Sequence, residues 1–246
     1  MNSLILCEGK TDCVLLQYYL EKVHCWERVK KHGMKLERDC WSNCFVKSTN
    51  TLNIAETKGC SRLVDGLLNA ILQNENAAPG DMSDFIDRVI IFTDNDEENV
   101  PSDLIFKIKN SLSDTSAQFL SDISLGVWNT CTLNGVDGVK RFKLLLLCIP
   151  FDENGALETY LLKCIGDGDA YDKKIIDRGN SFVDTIDPES KYLQHRRQKT
   201  KAKFDVYFSV RTSVDQYGER QNILRSVPWE KYQMIRSDFK IFEELG

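Results

Sequence analysis

No apolar run in this chain approaches the roughly 18 residues a membrane span requires, and no basic segment precedes the short apolar stretch at its N-terminus. A spanning helix and a secretory signal peptide are therefore not expected, and the expected location is cytoplasmic. Disulfide-type and finger-type cysteine spacing is missing as well. The nine cysteines, at 7, 13, 25, 40, 44, 60, 131, 148 and 164, are odd in number, scattered, and contain no CxxC pair, which fits reduced and largely buried thiols better than a disulfide framework. His24, Cys25, His32, Cys40 and Cys44 form the one suggestive cluster, but their spacing matches no common zinc finger. Histidine is scarce, with three in 246 residues, and offers no nucleophile and base arrangement; a GxSxG elbow is absent. "EGKT" at 8–11 does not complete a phosphate loop either, because GxxxxGK[ST] needs a glycine where the chain has Leu4.

What is present suits one α/β domain or a compact core with an appended lobe. The net charge of −5 argues against a protein that coats nucleic acid with its whole surface. Two local basic patches stand out, "RVKKHGMKLER" (28–38) and "HRRQKTKAK" (195–203). Strands are expected at 3–7, near 51–56 and over "DRVIIFTD", and helices at 11–23 (capped by Thr11 or Asp12), 60–73 and 102–112. "NENAAPGDMSD" (74–84) reads as a loop by its Asn, Pro and Gly content. Apolar segments at 125–133 and 141–149 flank "NGVDGVK", a turn signal that suits a hairpin. Helices resume at 155–166, about 170–183 and about 190–210. Alternating strands and helices predict an α/β fold with a mainly parallel sheet flanked by helices, with a core over 1–166 interrupted by an insertion at 24–50 and a C-terminal helical extension over 167–246.

The chemistry gathers where apolar runs end. In open α/β sheets ligands sit beyond the carboxyl ends of strands. Glu8 ends the first run, and Asp94 with Asp96 ends "VIIFTDND"; if the chain stays extended there, Asp94 and Asp96 project to the same side. Two carboxylates about 4 Å apart repel by about 4 kcal/mol at an effective dielectric near 20, so such a cluster needs protons, basic partners or a divalent ion. Hard oxygen ligands favour Mg²⁺ or Mn²⁺ over zinc.

"LILCEGKTD" followed by "VIIFTDNDEE" resembles the Toprim domain, the catalytic module of topoisomerases, primases, recombination proteins and nucleases of the overcoming-lysogenisation-defect (OLD) type. The Toprim pattern is a glutamate-glycine after the first strand, here Glu8-Gly9, and an Asp-x-Asp after a later one, here Asp94 and Asp96. Asp12 matches an additional acidic position of OLD-type members. "GALETYLL" resembles their Gly-x-Leu-Glu-x-x-Leu-Leu element, which makes Glu158 a metal-ligand candidate. "KAKFDVYFSV" resembles their late lysine-bearing helix, with Lys201 as the better match and Lys203 the second.

The resemblance implies a Toprim-like, Rossmann-like fold and metal-dependent phosphodiester hydrolysis. One or two Mg²⁺ or Mn²⁺ ions on Asp94, Asp96, Glu158, Glu8 and Asp12 would polarise the scissile phosphate and activate water. Glu8 would act as ligand or general base, and Lys201 or Lys203 would stabilise charge on the phosphoryl oxygens. The implied partner is nucleic acid, DNA ahead of RNA. The chain opens directly on its first strand and carries no Walker motif, so the expectation is a stand-alone Toprim protein working beside a separate ATPase, not a complete OLD enzyme. A module that binds nucleic acid or a partner without cutting is the alternative. A small-substrate phosphohydrolase using Asp94 as nucleophile fits less well, because the Asp-x-Asp lies on a late strand and lacks the following Thr or Val.

Overall fold

A computed structural model describes residues 1–30, 41–77, 84–96, 99–113, 115–135, 138–212 and 220–246. His32 and Cys40 of the suggestive cysteine cluster, and most of the 28–38 basic patch, lie outside them. The chain divides into two compact units: Met1–Thr93 with Asn99–Cys148 and Phe242–Gly246, and Asp94–Glu98 with Ile149–Ile241.

The first unit is built on β1 (Asn2–Cys7), β2 (Glu27–Val29), β3 (Trp41–Lys47), β4 (Asn50–Glu56), β5 (Arg88–Asp94), β6 (Ala117–Phe119), β7 (Trp128–Gly135) and β8 (Gly138–Ile149), in the sheet order β2-β3-β4-β1-β5-β8-β7-β6. The helices of this unit are α1 (Lys10–His24), α2 (Leu63–Asn76) and α3 (Val100–Leu112). β1 pairs in parallel with β4 and with β5. Both edges are antiparallel: β2 with β3, β3 with β4, β6 with β7, and β7 with β8. The sheet is thus mixed, parallel at its centre and antiparallel at its margins, where the sequence predicts a mainly parallel one. The expected insertion at 24–50 contains the edge strand β2 and its neighbour β3, which extend the sheet in antiparallel pairing beyond β4. The hairpin over 125–149 matches expectation, with Gly135 facing Gly138 at its tip.

The central strands β1 and β5 are apolar in their middle stretches, where helices cover them. Leu4 and Leu6 of β1, Val89 and Ile91 of β5, and Leu144 and Leu146 of β8 join Leu67 and Ile71 of α2 and Leu104 and Ile108 of α3 in one buried cluster. Side chains alternate along a strand, so Ile5 and Ile90 serve the opposite layer. Each fully buried residue of this size contributes about 1.5–3 kcal/mol. Cys7, Cys13, Cys44, Cys131, Cys148 and Cys164 are buried and no described cysteine is disulfide-bonded. Burial pushes the Cys131, Cys148 and Cys164 thiols up to about 12, as expected of inert core thiols.

The second unit holds α4 (Leu157–Gly168), α5 (Ala170–Ile186), α6 (Arg196–Arg211), α7 (Arg220–Ser226) and α8 (Gln233–Asp238). α4 packs on α5, α6 and α8, so it groups with the C-terminal helices; the division falls at Cys148–Ile149, ahead of the position 166 read from sequence. No helix among the described residues is long and apolar enough to cross a membrane.

Asp187 closes α5 and shapes the turn leading to α6. Its carboxylate accepts hydrogen bonds from the N–H groups of Leu193 (2.7 Å), Tyr192 (2.8 Å) and Lys191 (3.0 Å). Those backbone donors, Leu193 first, hold its carboxyl below the ordinary value of 3.8. A carboxyl lowered by folding contributes stability above its unfolded pKa, and that contribution is lost as pH falls through the lowered folded value. The amide resonances of residues 191–193 are therefore expected to shift together on acidification below pH 3.8, a transition that Asp187→Ala removes; independent titration of the three amides would contradict this.

Candidate functional site

Glu8 follows β1 directly. Its N–H donates to the Phe92 carbonyl at 3.3 Å and its own carbonyl accepts from Gly59 N–H at 2.9 Å. These bonds fix the backbone at the strand end, and Thr93 Oγ1 donates to Glu8 Oε2 at 2.8 Å. Thr93 is the penultimate residue of β5, so a carboxylate at the end of one central strand is oriented by the hydroxyl of its parallel neighbour.

Gly9 is the N-cap of α1, in place of the expected Thr11 or Asp12. Asp12 sits in the first turn and reaches back, with its Oδ2 accepting Gly9 N–H at 2.8 Å; it is only 5% exposed. Such a reach satisfies one of the donors a helix start leaves unpaired. Gly9 itself is extended, with φ −134°, and a Cβ there would meet only Asp12 Oδ2 at 3.5 Å. Neither backbone conformation nor crowding demands glycine at this point of the Glu-Gly motif.

In the second unit, β5's last residue, Asp94, accepts Leu157 N–H through Oδ1 at 2.9 Å. It thereby caps α4 from outside the helix, where an acidic group is also favoured by the helix dipole. Asn95 pins the same segment. Its N–H donates to Ile149 O (2.7 Å), its carbonyl accepts from Gly155 N–H (2.8 Å), and its Nδ2 donates to the carbonyls of Pro150 and Glu153. Glu158, in the first turn of α4, is 5% exposed. The strand ends at Asp94 and Asn95 keeps only an isolated bridge to Gly155, so Asp96 lies past the extended segment assumed for an i, i+2 pair. The Asp96 carbonyl accepts a hydrogen bond from Arg196 Nη1.

Gly155 opens the "GALETYLL" element, and here glycine is required. A Cβ would stand 2.9 Å from Thr159 Cβ and 3.0 Å from its Oγ1, and the β-branched Thr159 has no free end to move aside. Gly155→Ala is expected to lower stability by about 1–3 kcal/mol, measured by urea denaturation, with Gly155→Ala/Thr159→Ser recovering part of the loss.

The two lysines differ. Lys203 pairs with Asp184 of α5 at 2.8 Å; Lys201 makes no ion pair with any described residue. Glu8 and Asp12 thus flank Gly9 in one unit, and Asp94, Asp96, Glu158 and both lysines belong to the other. The donor set is carboxylate oxygen alone, chemistry suited to Mg²⁺ or Mn²⁺. Among the described residues no three His, Cys, Asp or Glu side chains stand together as a metal-holding group. Thr93, Asn95 and Arg196 are participants that sequence reasoning missed. The first two lie inside "TDND" itself, and Arg196 was visible only as one charge of the 195–203 patch.

The family model described as "Protein of unknown function (DUF3226)" matches residues 2–232. The chain belongs to the DUF3226 family. No curated protein matches it. Among solved structures, the crystal structure of hypothetical protein PH0156 from Pyrococcus horikoshii OT3 is similar, with a TM-score of 0.55 and 16% identity, over 99% of this chain and 98% of that one. At that identity the likeness speaks to fold, and it extends the α/β architecture across the length of this DUF3226 chain.

Proposed function

We propose that this protein is a Toprim-type, metal-dependent phosphodiesterase acting on nucleic acid, DNA ahead of RNA. The observation that carries the reading is the placement of acids at the ends of β1 and β5, adjacent parallel strands at the centre of the sheet, with Glu8 held by Thr93 immediately before Asp94. Ligand binding beyond the carboxyl ends of parallel strands is the general habit of α/β sheets. The candidate ligands for one or two Mg²⁺ or Mn²⁺ ions are Asp94, Asp96 and Glu158 in one unit and Glu8 and Asp12 in the other; such ions would supply Lewis acidity toward the phosphate and an activated water. Lys201, which among the described residues has no carboxylate partner like the one that occupies Lys203, is the better choice for stabilising phosphoryl charge. A separate ATPase remains the proposed partner for a chain with no Walker motif.

The second reading is a nucleic-acid-binding module that does not cut, and the basic 195–203 stretch at the start of α6 favours it. One experiment separates the two. Plasmid and single-stranded substrates are incubated with the protein in Mg²⁺ or Mn²⁺, with EDTA controls and with Glu8 and Asp94 variants. Cleavage that needs the ion and both acids supports the phosphodiesterase; binding without cleavage, indifferent to either acid, supports the module.

A further inference from the structure

Within the helical unit, α4, α5 and α6 enclose a cleft of about 530 Å³. Its volume lies in the range of ligand sites, and its charged lining is not uniformly committed. Lys163 is matched by Asp152 at 2.7 Å and Glu153 at 3.4 Å, Lys173 by Asp177 at 3.8 Å, and Lys203 by Asp184 at 2.8 Å. Arg196, Lys199 and the carboxylate-bearing Asp167 also line the cleft, and neither of the two cations forms an ion pair with a described residue. Lys199 feels the charge of Asp187, but that carboxylate is already engaged by three backbone N–H groups.

Arg196, Arg197 and Lys199 stand in the opening residues of α6, whose first turn carries no acid. Cations at a helix start oppose the helix dipole. A sequence that breaks a local rule without an internal remedy points to an external one, and an anion in the cleft would supply it. Arg196 also reaches the Asp96 carbonyl, which connects the cleft wall to the Asp94–Asp96 segment within the same unit.

We infer that this cleft is a phosphate site, with Lys199 and Arg196 as its charged contacts, and that it holds the backbone of a nucleic-acid strand. The identity of the strand rests on the phosphodiesterase reading; the anion site does not. The test uses the full chain in EDTA, where no metal-dependent cleavage can occur. Fluorescence anisotropy follows fluorescein-labelled single-stranded and duplex DNA oligonucleotides across a salt series, with inorganic phosphate and AMP as competitors. Lys199→Glu is expected to weaken oligonucleotide binding at least 10-fold and to lower the salt slope by about 0.7–0.9, the loss of one phosphate contact. Lys174→Glu, an exposed α5 reversal outside the cleft lining, is expected to change binding less than 3-fold. Lys199→Gln, checked for fold by circular dichroism, should fall between wild type and Lys199→Glu.

Equal effects of the 199 and 174 reversals, or an unchanged salt slope, overturn the site. Displacement of the oligonucleotide by AMP or phosphate at micromolar concentration overturns the nucleic-acid occupant in favour of a free phosphorylated ligand. The two readings fail separately: Lys199-dependent binding with no cleavage in Mg²⁺ sinks the phosphodiesterase alone, and cleavage with Lys199→Glu binding unchanged sinks the cleft alone.

Discussion

An Asp94→Asn protein is expected to lose ion-dependent cleavage by more than about 100-fold, since even residues one shell away from a bound metal typically cost 10–100-fold in affinity or activity, while its Tm falls by no more than about 4 °C. The asymmetry follows from the two tasks of this side chain. Its Oδ1 accepts Leu157 N–H at 2.9 Å, and the amide oxygen of asparagine can accept the same bond, so the start of α4 keeps its cap. What asparagine removes is the negative charge, worth about 0.3–1 kcal/mol beside a helix N-terminus but indispensable to a hard cation. Asp94→Ala removes both and should cost about 1 kcal/mol more in stability, because a helix N–H is left without its acceptor. Glu8→Gln is the matched variant in the other unit, since its carbonyl can still accept from Thr93 Oγ1. Activity and melting measured on all three proteins separate a ligand from a cap. Full cleavage by Asp94→Asn and Glu8→Gln would end the assignment of these two acids as metal ligands.

Much of the fold is legible in the sequence because the signals are local. "LILC" and "VIIF" are continuous apolar runs, and both become buried central strands. β7 and β8 pair on either side of "NGVDG", with Gly135 facing Gly138, and the periodic helices fall within a few residues of expectation apart from α6, which starts at Arg196 and not near 190. The misreadings arise where a distant partner decides. Residues 41–47 have no clean alternation, yet they form β3, specified by pairing with β4. The first helix is capped by Gly9, and Asp12 serves from inside the first turn, an arrangement that "GKTD" does not distinguish from a Thr or Asp cap. The acids of the candidate site are visible as strand-end residues. Their partners Thr93, Leu157 N–H and Arg196 are not, because each depends on which segment the topology brings alongside.

Asn74 is the sharpest instance, and its replacement carries the largest expected loss of stability. Its surroundings, "NENAAPG", read as a loop, but α2 continues to Asn76 and Asn74 is 1% exposed. The side chain meets both backbone groups of Ile86: Nδ2 donates to Ile86 O at 2.9 Å and Oδ1 accepts Ile86 N–H at 2.6 Å. A turn-forming residue is therefore recruited as a bidentate bracket for the segment that enters β5. Asn74→Ala leaves a donor and an acceptor buried without partners. At about 1–3 kcal/mol for each, the expected loss is about 2–6 kcal/mol, a large part of the 5–15 kcal/mol that holds a typical domain together. Chemical denaturation should report it as a lower midpoint with an unchanged slope.

Asn74→Asp provides the sign test. Its carboxylate can still accept Ile86 N–H but faces the Ile86 carbonyl with no proton to donate, so folding should raise its pKa above the ordinary value near 3.9. A raised carboxyl contributes stability below its unfolded pKa, lost as pH rises through the folded value. Relative to wild type, Asn74→Asp should therefore be least stable at neutral pH and recover on acidification, whereas Asn74→Ala should show a deficit independent of pH. A pH-independent deficit in both would mean that the side chain only fills space. A deficit that tracks protonation would establish that the strand bearing Asp94 is held at its entry by two hydrogen bonds from a neighbouring helix.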